Sequence, residues 1–319
     1  MSTSKFRISN EIRFTRYEYM VSKEQFETID NALLVRAPAK INLSLLIAGK
    51  RPDGFHEIET IMAKINWYDE ILIEPGLKGG IELVCKGPYW APEGEDNLVH
   101  QAAKMLMNCC GEWADLKITL TKNIPAGSGL GSASSDAAAT LIGLNRFLKL
   151  TLDTKSLSKV AAKLGSDVAF FLDGPLALCR GKGEKIKKLG ENFDFLALLI
   201  LPDVSVSTKE VYANYTHDRA RYECLSTRIN SYIQENRIDL AVNMCANMLE
   251  KSCFSLAKEL VEIKRGIESS GIGPLCLSGS GSAMFCLIDD RDEQRARAYK
   301  HKLENKIGCK SVIVTNNTW

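Results

Sequence analysis

The sequence predicts an α+β fold in two parts. Three observations carry this reading: an alternating apolar–polar stretch near residue 40, helical periodicity concentrated between Thr208 and Ser270, and strand patterns flanking a second glycine-rich loop near the C-terminus. Strands and helices that segregate along a chain, instead of alternating as repeated βαβ units, mark this class. The 319 residues, 45% hydrophobic and 25% charged, suffice for one large or two moderate globular domains.

Residues 1–30 mix acids with bases and read as an extension without an assignable role. They lack the apolar segment of a secretory signal and are too acidic for a transit peptide. The core is expected to begin near Asn31. Ala39–Ala48 places Ile41, Leu43, Leu45 and Ile47 on one side and Lys40, Asn42 and Ser44 on the other, the period of a strand with a polar face. Arg51-Pro-Asp-Gly54 is a turn, because proline presets φ and glycine tolerates positive φ. Phe55–Ile65 returns as the partner strand, and Ile71–Glu74 and Ile81–Cys85 read as further strands. Asp96-Asn97 is placed to cap a helix carrying Leu98, Ala102, Met105 and Leu106. Leu116–Leu120 alternates as a strand. A glycine-rich segment, Pro125–Ser135, follows and runs into a helix striped by Leu141, Leu144 and Leu148. Ser156–Leu164 is a shorter helix. A weakly marked boundary near Lys187–Gly190 divides residues 31–187 from 188–319. In the second part Phe195–Leu201 is a short buried strand, and Leu256, Leu260, Ile263 and Ile267 share a helical face. Strands flank Ser278–Ser282, a helix starts near Arg291, and Lys310–Val314 forms a last strand.

A formal charge of +2 argues against a nucleic-acid binder, whose footprint is a strongly basic face. No apolar run approaches the roughly 18–20 residues that span a bilayer. The ten cysteines show no Cys-x-x-Cys and no zinc spacing with histidine. They read as reduced thiols of a cytosol-like compartment.

The segment Pro125, Ala126, Gly127, Ser128, Gly129, Leu130, Gly131, Ser132, Ala133, Ser134, Ser135 is the most informative in the chain. Glycines let backbone amides approach an anion, and the helix that follows presents free N–H groups and the positive end of its dipole. Together they make a phosphate cradle. The Gly-Lys-Ser/Thr ending of a Walker loop and the Gly-x-Gly-x-x-Gly dinucleotide spacing are both absent. From the residues alone, Asp167 stands open between a proton acceptor and the cap of a short helix. Lys40 stands open between a functional cation and a solvated strand lysine, and Asn97 between a cap and a ligand group. Phe55-His56 stands open between a base-binding pair and an exposed hairpin end.

Pro-x-x-x-Gly-Leu-Gly-Ser-x-x-Ser resembles the phosphate motif of the GHMP kinases (galactokinase, homoserine kinase, mevalonate kinase, phosphomevalonate kinase). Ala37–Leu43 followed by Arg51–Glu57 is similar to the N-terminal signature of the 4-diphosphocytidyl-2-C-methyl-D-erythritol kinase family, and Leu164–Phe171 to that family's Leu-Gly-Ala-Asp-Val-Pro-Phe-Phe block. The resemblance runs from about Leu34 to the C-terminus. It implies a GHMP kinase fold, with an N-terminal domain like ribosomal S5 domain 2 and a ferredoxin-like C-terminal domain. It implies ATP-dependent phosphorylation of a cytidylyl-linked methylerythritol in non-mevalonate isoprenoid synthesis, with ATP and Mg2+. The missing targeting signals and the near-neutral charge give the expectation of a cytoplasmic monomer or homodimer with no nucleic-acid or membrane partner.

By the same resemblance Asp167 is the catalytic base and Lys40 its partner. Asn42, Phe55, His56 and Tyr212 bind the acceptor, His56 at the cytosine edge and Phe55 and Tyr212 at its faces. Asn97, Leu98, Lys122 and residues 125–135 bind ATP, and Gly279, Ser280 and Gly281 form a supporting loop. No metal ligand is assigned, with Ser135 and Asp136 the nearest candidates. The chain departs from the family in Ser132 and Ala133, where glycines are usual, in Ser166 for alanine, in Ala169 for proline, and in Lys209, where proline often follows the threonine. Other GHMP acceptors (mevalonate, homoserine, a sugar) and a non-catalytic nucleotide-binding module are the alternatives.

Overall fold

The computed structural model describes residues 23–77, 79–190 and 193–319; most of the expected N-terminal extension, residues 1–22, lies outside them. The elements run β1 (Phe26–Ile29), β2 (Ala32–Lys50), β3 (His56–Pro75), β4 (Ile81–Lys86), α1 (Leu98–Cys110), β5 (Leu116–Thr121), α2 (Ser132–Phe147), α3 (Thr154–Leu164), α4 (Val168–Phe171), β6 (Leu176–Gly181) and β7 (Lys185–Lys188). They continue as β8 (Leu196–Leu201), α5 (Thr208–Ala213), α6 (Arg219–Gln234), α7 (Ile238–Asn243), α8 (Glu250–Leu256), α9 (Lys258–Ser269), β9 (Cys276–Leu277), β10 (Met284–Leu287), α10 (Glu293–Lys302) and β11 (Lys310–Thr315).

The first sheet has the order β1-β2-β3-β5-β4, with β6 also pairing β3 and β7 pairing β6. Only β4–β5 is parallel. The sheet starts before Asn31: Phe26–Ile29 pairs antiparallel with Ala32–Val35, so the end of the expected extension is an edge strand. Phe55–Ile65 and Ile71–Glu74, read as two strands, belong to the single long strand β3. Register shifts at Pro38/Ala39 and Asn42/Ser44 mark bulges, which bend a long strand pair without ending it. Helix α2 packs closely enough on this sheet that a Cβ on Gly143 would lie 2.7 Å from Ile73 Cδ1 and Val35 Cγ2. Asn97 accepts the Val99 N–H at the start of α1, as its capping position predicts. Val99, Leu106, Leu141 and Leu144 close the core beneath.

The second sheet, β11-β8-β10-β9, is antiparallel throughout. With α5–α9 between β8 and β9, and α10 between β10 and β11, its connectivity is the ferredoxin-like β-α-β-β-α-β. Leu260 and Ile267 are buried as their spacing predicts, but Leu256 is not: it ends α8, separated from α9 by non-helical Ala257, and it stands 46% exposed. The expectation of reduced cysteines is corrected at one pair. Cys245 and Cys276, 31 residues apart, are joined in a disulfide with Cα atoms 5.3 Å apart, within bridging range; sequence spacing gives no sign of a pairing set by tertiary packing. The two halves meet along β2, where Leu45 N–H donates to Ala246 O and Met248 N–H to Leu45 O, at 2.7 and 2.9 Å.

Candidate active site

A cleft of about 1010 Å³ lies between the halves. Lys40 and Asn42 of β2 line it, and past the bulge at Asn42/Ser44 it is Leu45, not Ser44, that does so. Lys40 is 3% exposed. Its ammonium donates to Asn42 Oδ1 and to Gly129 O at 2.8 Å, so strand and phosphate loop are joined through one cation. Asn42 is held in turn, its Nδ2 donating to Thr60 Oγ1 at 2.8 Å and its N–H to Ser278 Oγ at 3.3 Å. Burial lowers the Lys40 pKa, and the negative charge of Asp167 opposes that shift.

Asp167 stands at the start of α4, where the chain enters the apolar run Val168–Phe171. Its side chain makes no capping bond, so the capping alternative does not describe it. It lines the cleft. Among the described residues Lys40 and Asp167 form no direct ion pair, unlike the contact the resemblance implies: Asn42 and Gly129 take the Lys40 donors, and the two charges interact across the cleft.

The glycine loop wraps Lys40 and ends in α2. Gly131 is the N-cap of α2, at φ 70° with no side-chain cap, which leaves the first-turn amides open toward the cleft wall formed by Ser132, Ala133 and Ser134. Gly127 and Gly129 also line the cleft. Gly129, at φ 80°, touches the second glycine loop so closely that a Cβ would lie 2.2 Å from Ser278 O. Ser278 Oγ donates to Gly129 O at 3.0 Å, and Ala283 N–H to Ser128 O at 3.0 Å. Gly279 and Ser280 reach the cleft, while Gly281 packs behind them, against Cys253. Pro125, Ala126, Ser128 and Leu130 shape the loop from outside the cleft. Ser128 Oγ donates to Pro125 O at 2.8 Å, and Leu130 O accepts the Lys40 N–H at 2.9 Å.

At the other end sits an aromatic group. The His56 ring lies 5.3 Å from that of Tyr212 and 5.9 Å, edge-on, from that of Tyr215. Burial, with Lys50 and His217 nearby, lowers the His56 pKa and keeps its imidazole neutral at pH 7. Burial pushes the Tyr212 phenol up. Phe55 is 54% exposed and carries the Lys182 ammonium 4.7 Å from its ring centroid, a cation–π distance. Four lysines (40, 50, 182, 209) and two aspartates (53, 167) line the cleft, so its wall favours an anion.

Three nucleotide assignments lie elsewhere. Asn97 is 4% exposed, its carboxamide used by Val99 N–H and Pro92 O, and neither it nor Leu98 lines the cleft. Lys122 is 2% exposed, its ammonium bound to Asp69, Ser132 and, at 2.7 Å, Asp136; it supports α2 from beneath and does not face the opening. Burial and the neighbouring Asp69 raise the Asp136 pKa well above its ordinary value. Ser135 Oγ and Asp136 Oδ1 are buried without partners and do not line the cleft, so they fit poorly as a dedicated metal site. Among the described residues no group of three or more His, Cys, Asp or Glu is placed to hold an ion.

Sequence reading missed Thr60, Asp69, Tyr215, Lys182 and Asn247. Asn247 Nδ2 donates to Leu277 O and Gly279 O, at 2.9 and 2.8 Å, and so fixes the second loop. Tyr215, three residues beyond Tyr212, had a legible signal in its one-turn spacing; the others had none.

Residues 97–175 match the GHMP kinases N terminal domain family and residues 229–305 the GHMP kinases C terminal family. A 4-diphosphocytidyl-2-C-methyl-D-erythritol kinase of Geobacillus sp. is 36% identical over 267 residues, 84% of this chain and 91% of that protein. One from Chloroherpeton thalassium is 38% identical over 268 residues, 83% and 92% of the two chains. A crystal structure of 4-(cytidine 5'-diphospho)-2C-methyl-D-erythritol kinase superposes with a TM-score of 0.71 at 30% identity, covering 90% of this chain and all of that one. A homoserine kinase from Cytophaga hutchinsonii, 21% identical with a TM-score of 0.71 over 93% of this chain and 98% of its own, shares the fold.

Proposed function

The chain belongs to the 4-diphosphocytidyl-2-C-methyl-D-erythritol kinase family of the GHMP kinases, and from that membership we propose that it transfers the γ-phosphoryl group of ATP to the 2-hydroxyl of 4-diphosphocytidyl-2-C-methyl-D-erythritol, a step of non-mevalonate isoprenoid synthesis. The observation that carries the reading is one cleft bringing together Lys40, Asp167, the open start of α2 and the His56–Tyr212 pair.

Phosphoryl transfer depends on alignment and charge neutralisation more than on covalent help. The amides of Gly127, Gly129 and Gly131–Ser134 and the dipole of α2 hold the ATP phosphates. The acceptor's cytosine rests against Tyr212 and Phe55, with the neutral His56 imidazole at its edge. Its hydroxyl lies between Lys40 and Asp167. As that oxygen attacks the γ-phosphorus its proton passes to the Asp167 carboxylate, the bond from phosphorus to the β–γ bridging oxygen breaks, and ADP leaves. Lys40 lowers the hydroxyl's pKa and balances the charge that develops. Mg2+ arriving with ATP would neutralise phosphate charge there, held by the phosphates themselves, since neither Ser135 nor Asp136 lines the cleft.

We assign residues 31–187 to the nucleotide-binding and catalytic domain, with β1 added at its edge, and residues 188–319 to the C-terminal domain. We place the enzyme in the cytoplasm as a monomer or homodimer; no helix among the described residues is long and apolar enough to cross a membrane. The test is ADP release by purified protein given ATP and, separately, the cytidylyl acceptor, mevalonate and homoserine. Release with the cytidylyl acceptor alone is expected. Release with one of the others instead would replace this reading, and no release with any would favour a non-catalytic module.

A further inference from the structure

Lys64 lies in β3 directly opposite Lys40 and is 1% exposed, yet nothing in the transfer reaction uses it. Its Nζ donates to Phe171 O at 3.1 Å and to Asp173 O at 2.6 Å, and its N–H donates to Pro175 O at 2.8 Å. One residue in the middle of the sheet thus ties down the chain from Phe171 to Pro175.

Phe171 is the last residue of α4, the four-residue turn that Asp167 begins, and Asp173 and Pro175 follow it in the connection to β6. Terminal helix carbonyls have no partner within the helix, and a helix this short has almost no ladder of its own to hold its shape. The Phe171 ring meets the transfer machinery directly. A Cβ on Gly131 would fall 3.0 Å from Phe171 Cζ and 2.9 Å from Lys40 Cγ, so the ring, the Lys40 stem and the start of α2 share one contact. A buried amine is costly in an otherwise apolar core, and an alkyl side chain would pack there without that cost.

We propose that Lys64 is a positioning residue for phosphoryl transfer: by clamping the carbonyl end of α4 it fixes Asp167 at the other end of the same turn and seats Phe171 against Lys40 and Gly131. This rests on Asp167 and Lys40 being the transfer groups. Burial lowers the Lys64 pKa to about 7, with Asp173 opposing the shift and Lys188 adding to it. An amine donates hydrogen bonds in both protonation states, so the clamp holds on either side of that value.

The test compares Lys64→Met, which keeps the stem and removes the donors, with Lys64→Gln, which keeps an N–H donor on a shorter stem. For Lys64→Met, kcat is expected to fall by about tenfold to a hundredfold, the scale of a small misplacement of reacting groups. Both KM values should move less than about threefold, as for a loss confined to the transition state. Amide hydrogen exchange should quicken at residues 168–173 and stay unchanged in β2 and α2. Lys64→Gln should recover part of the loss. Wild-type kcat and exchange in Lys64→Met would overturn the proposal. So would a joint collapse of kcat, KM and protection across the whole sheet, the signature of a merely structural lysine. If Lys64→Met does not fold, Lys64→Gln is read by the same criteria, and its failure to fold also overturns the proposal. Exchange needs no turnover, so a wild-type protein inactive on every acceptor would refute the kinase reading while the clamp was still decided by residues 168–173.

Discussion

Lys122→Met separates what the fold does with this lysine from what its place before the phosphate loop suggests. The ammonium is enclosed, with Asp69 and Asp136 carboxylates and the Ser132 hydroxyl taking its donors. Removing it leaves the fully buried Asp69 carboxylate with neutral donors alone, the Asn123 and Ile124 N–H groups at 2.6 and 2.8 Å and the Ser132 hydroxyl at 3.0 Å. Breaking a buried ion pair from one side costs about 3–5 kcal/mol, and that is the expected loss in urea unfolding followed by far-UV circular dichroism. The cluster holds one cation for two carboxylates, and Asp69 is among the causes that raise the Asp136 pKa. Asp136→Asn therefore removes the strained charge and is expected within about 1 kcal/mol of wild type, the size of a neutral hydrogen bond. In the double variant part of the Lys122→Met loss should return. The Lys122 pKa is itself raised, so its contribution is complete below the unfolded value of about 10.4 and is lost as pH rises through the folded one. An unchanged stability, with KM for ATP raised instead, would refute this reasoning and put the Lys122 charge in the nucleotide site.

Asp167→Asn should lower kcat by about 10²–10⁴, the usual worth of a positioned base, while ATP binding measured calorimetrically stays within about twofold because the phosphate loop is untouched. His56→Ala should raise KM for the cytidylyl acceptor and leave KM for ATP alone. Because the His56 pKa is lowered, the wild-type acceptor KM should stay flat down to the ordinary histidine range near 6.5 and rise only below it. Gly129→Ala must relieve a backbone contact of 2.2 Å and a φ of 80°. The left-handed φ alone costs about 1–2 kcal/mol, and parting the two glycine loops also loosens Lys40 from Gly129 O, so thermal stability and kcat should fall together.

The site was legible where its chemistry repeats along the chain. Lys40 and Asn42 stand out because they interrupt an apolar alternation, and the glycine loop because it joins unusual residues to a helix start. Groups that act from across the fold were not legible. Asp69 is an acid in a strand until Lys122, 53 residues away, needs a partner. Lys64 sits inside Ile61–Ile65 like a stray polar residue, since its acceptors are main-chain carbonyls more than 100 residues on. Leu256 has the period of a buried helical residue, yet the chain turns at Ala257 and leaves it exposed, because periodicity does not register a break between two helices. Long strand β2 reads as the shorter Ala39–Ala48, and β3 as two strands, for a related reason: bulges at Pro38/Ala39 and Asn42/Ser44 shift the pattern without ending the pairing.

The most direct test is a structure of the protein with a non-hydrolysable ATP analogue and the cytidylyl acceptor bound together. The acceptor's 2-hydroxyl is expected about 2.6–3.2 Å from an Asp167 oxygen, hydrogen-bond reach for a base, with the γ-phosphate at the start of α2 and the cytosine against Tyr212. A nucleobase held away from His56 and Tyr212, or an acceptor hydroxyl beyond reach of Asp167 with both ligands seated, would contradict that placement.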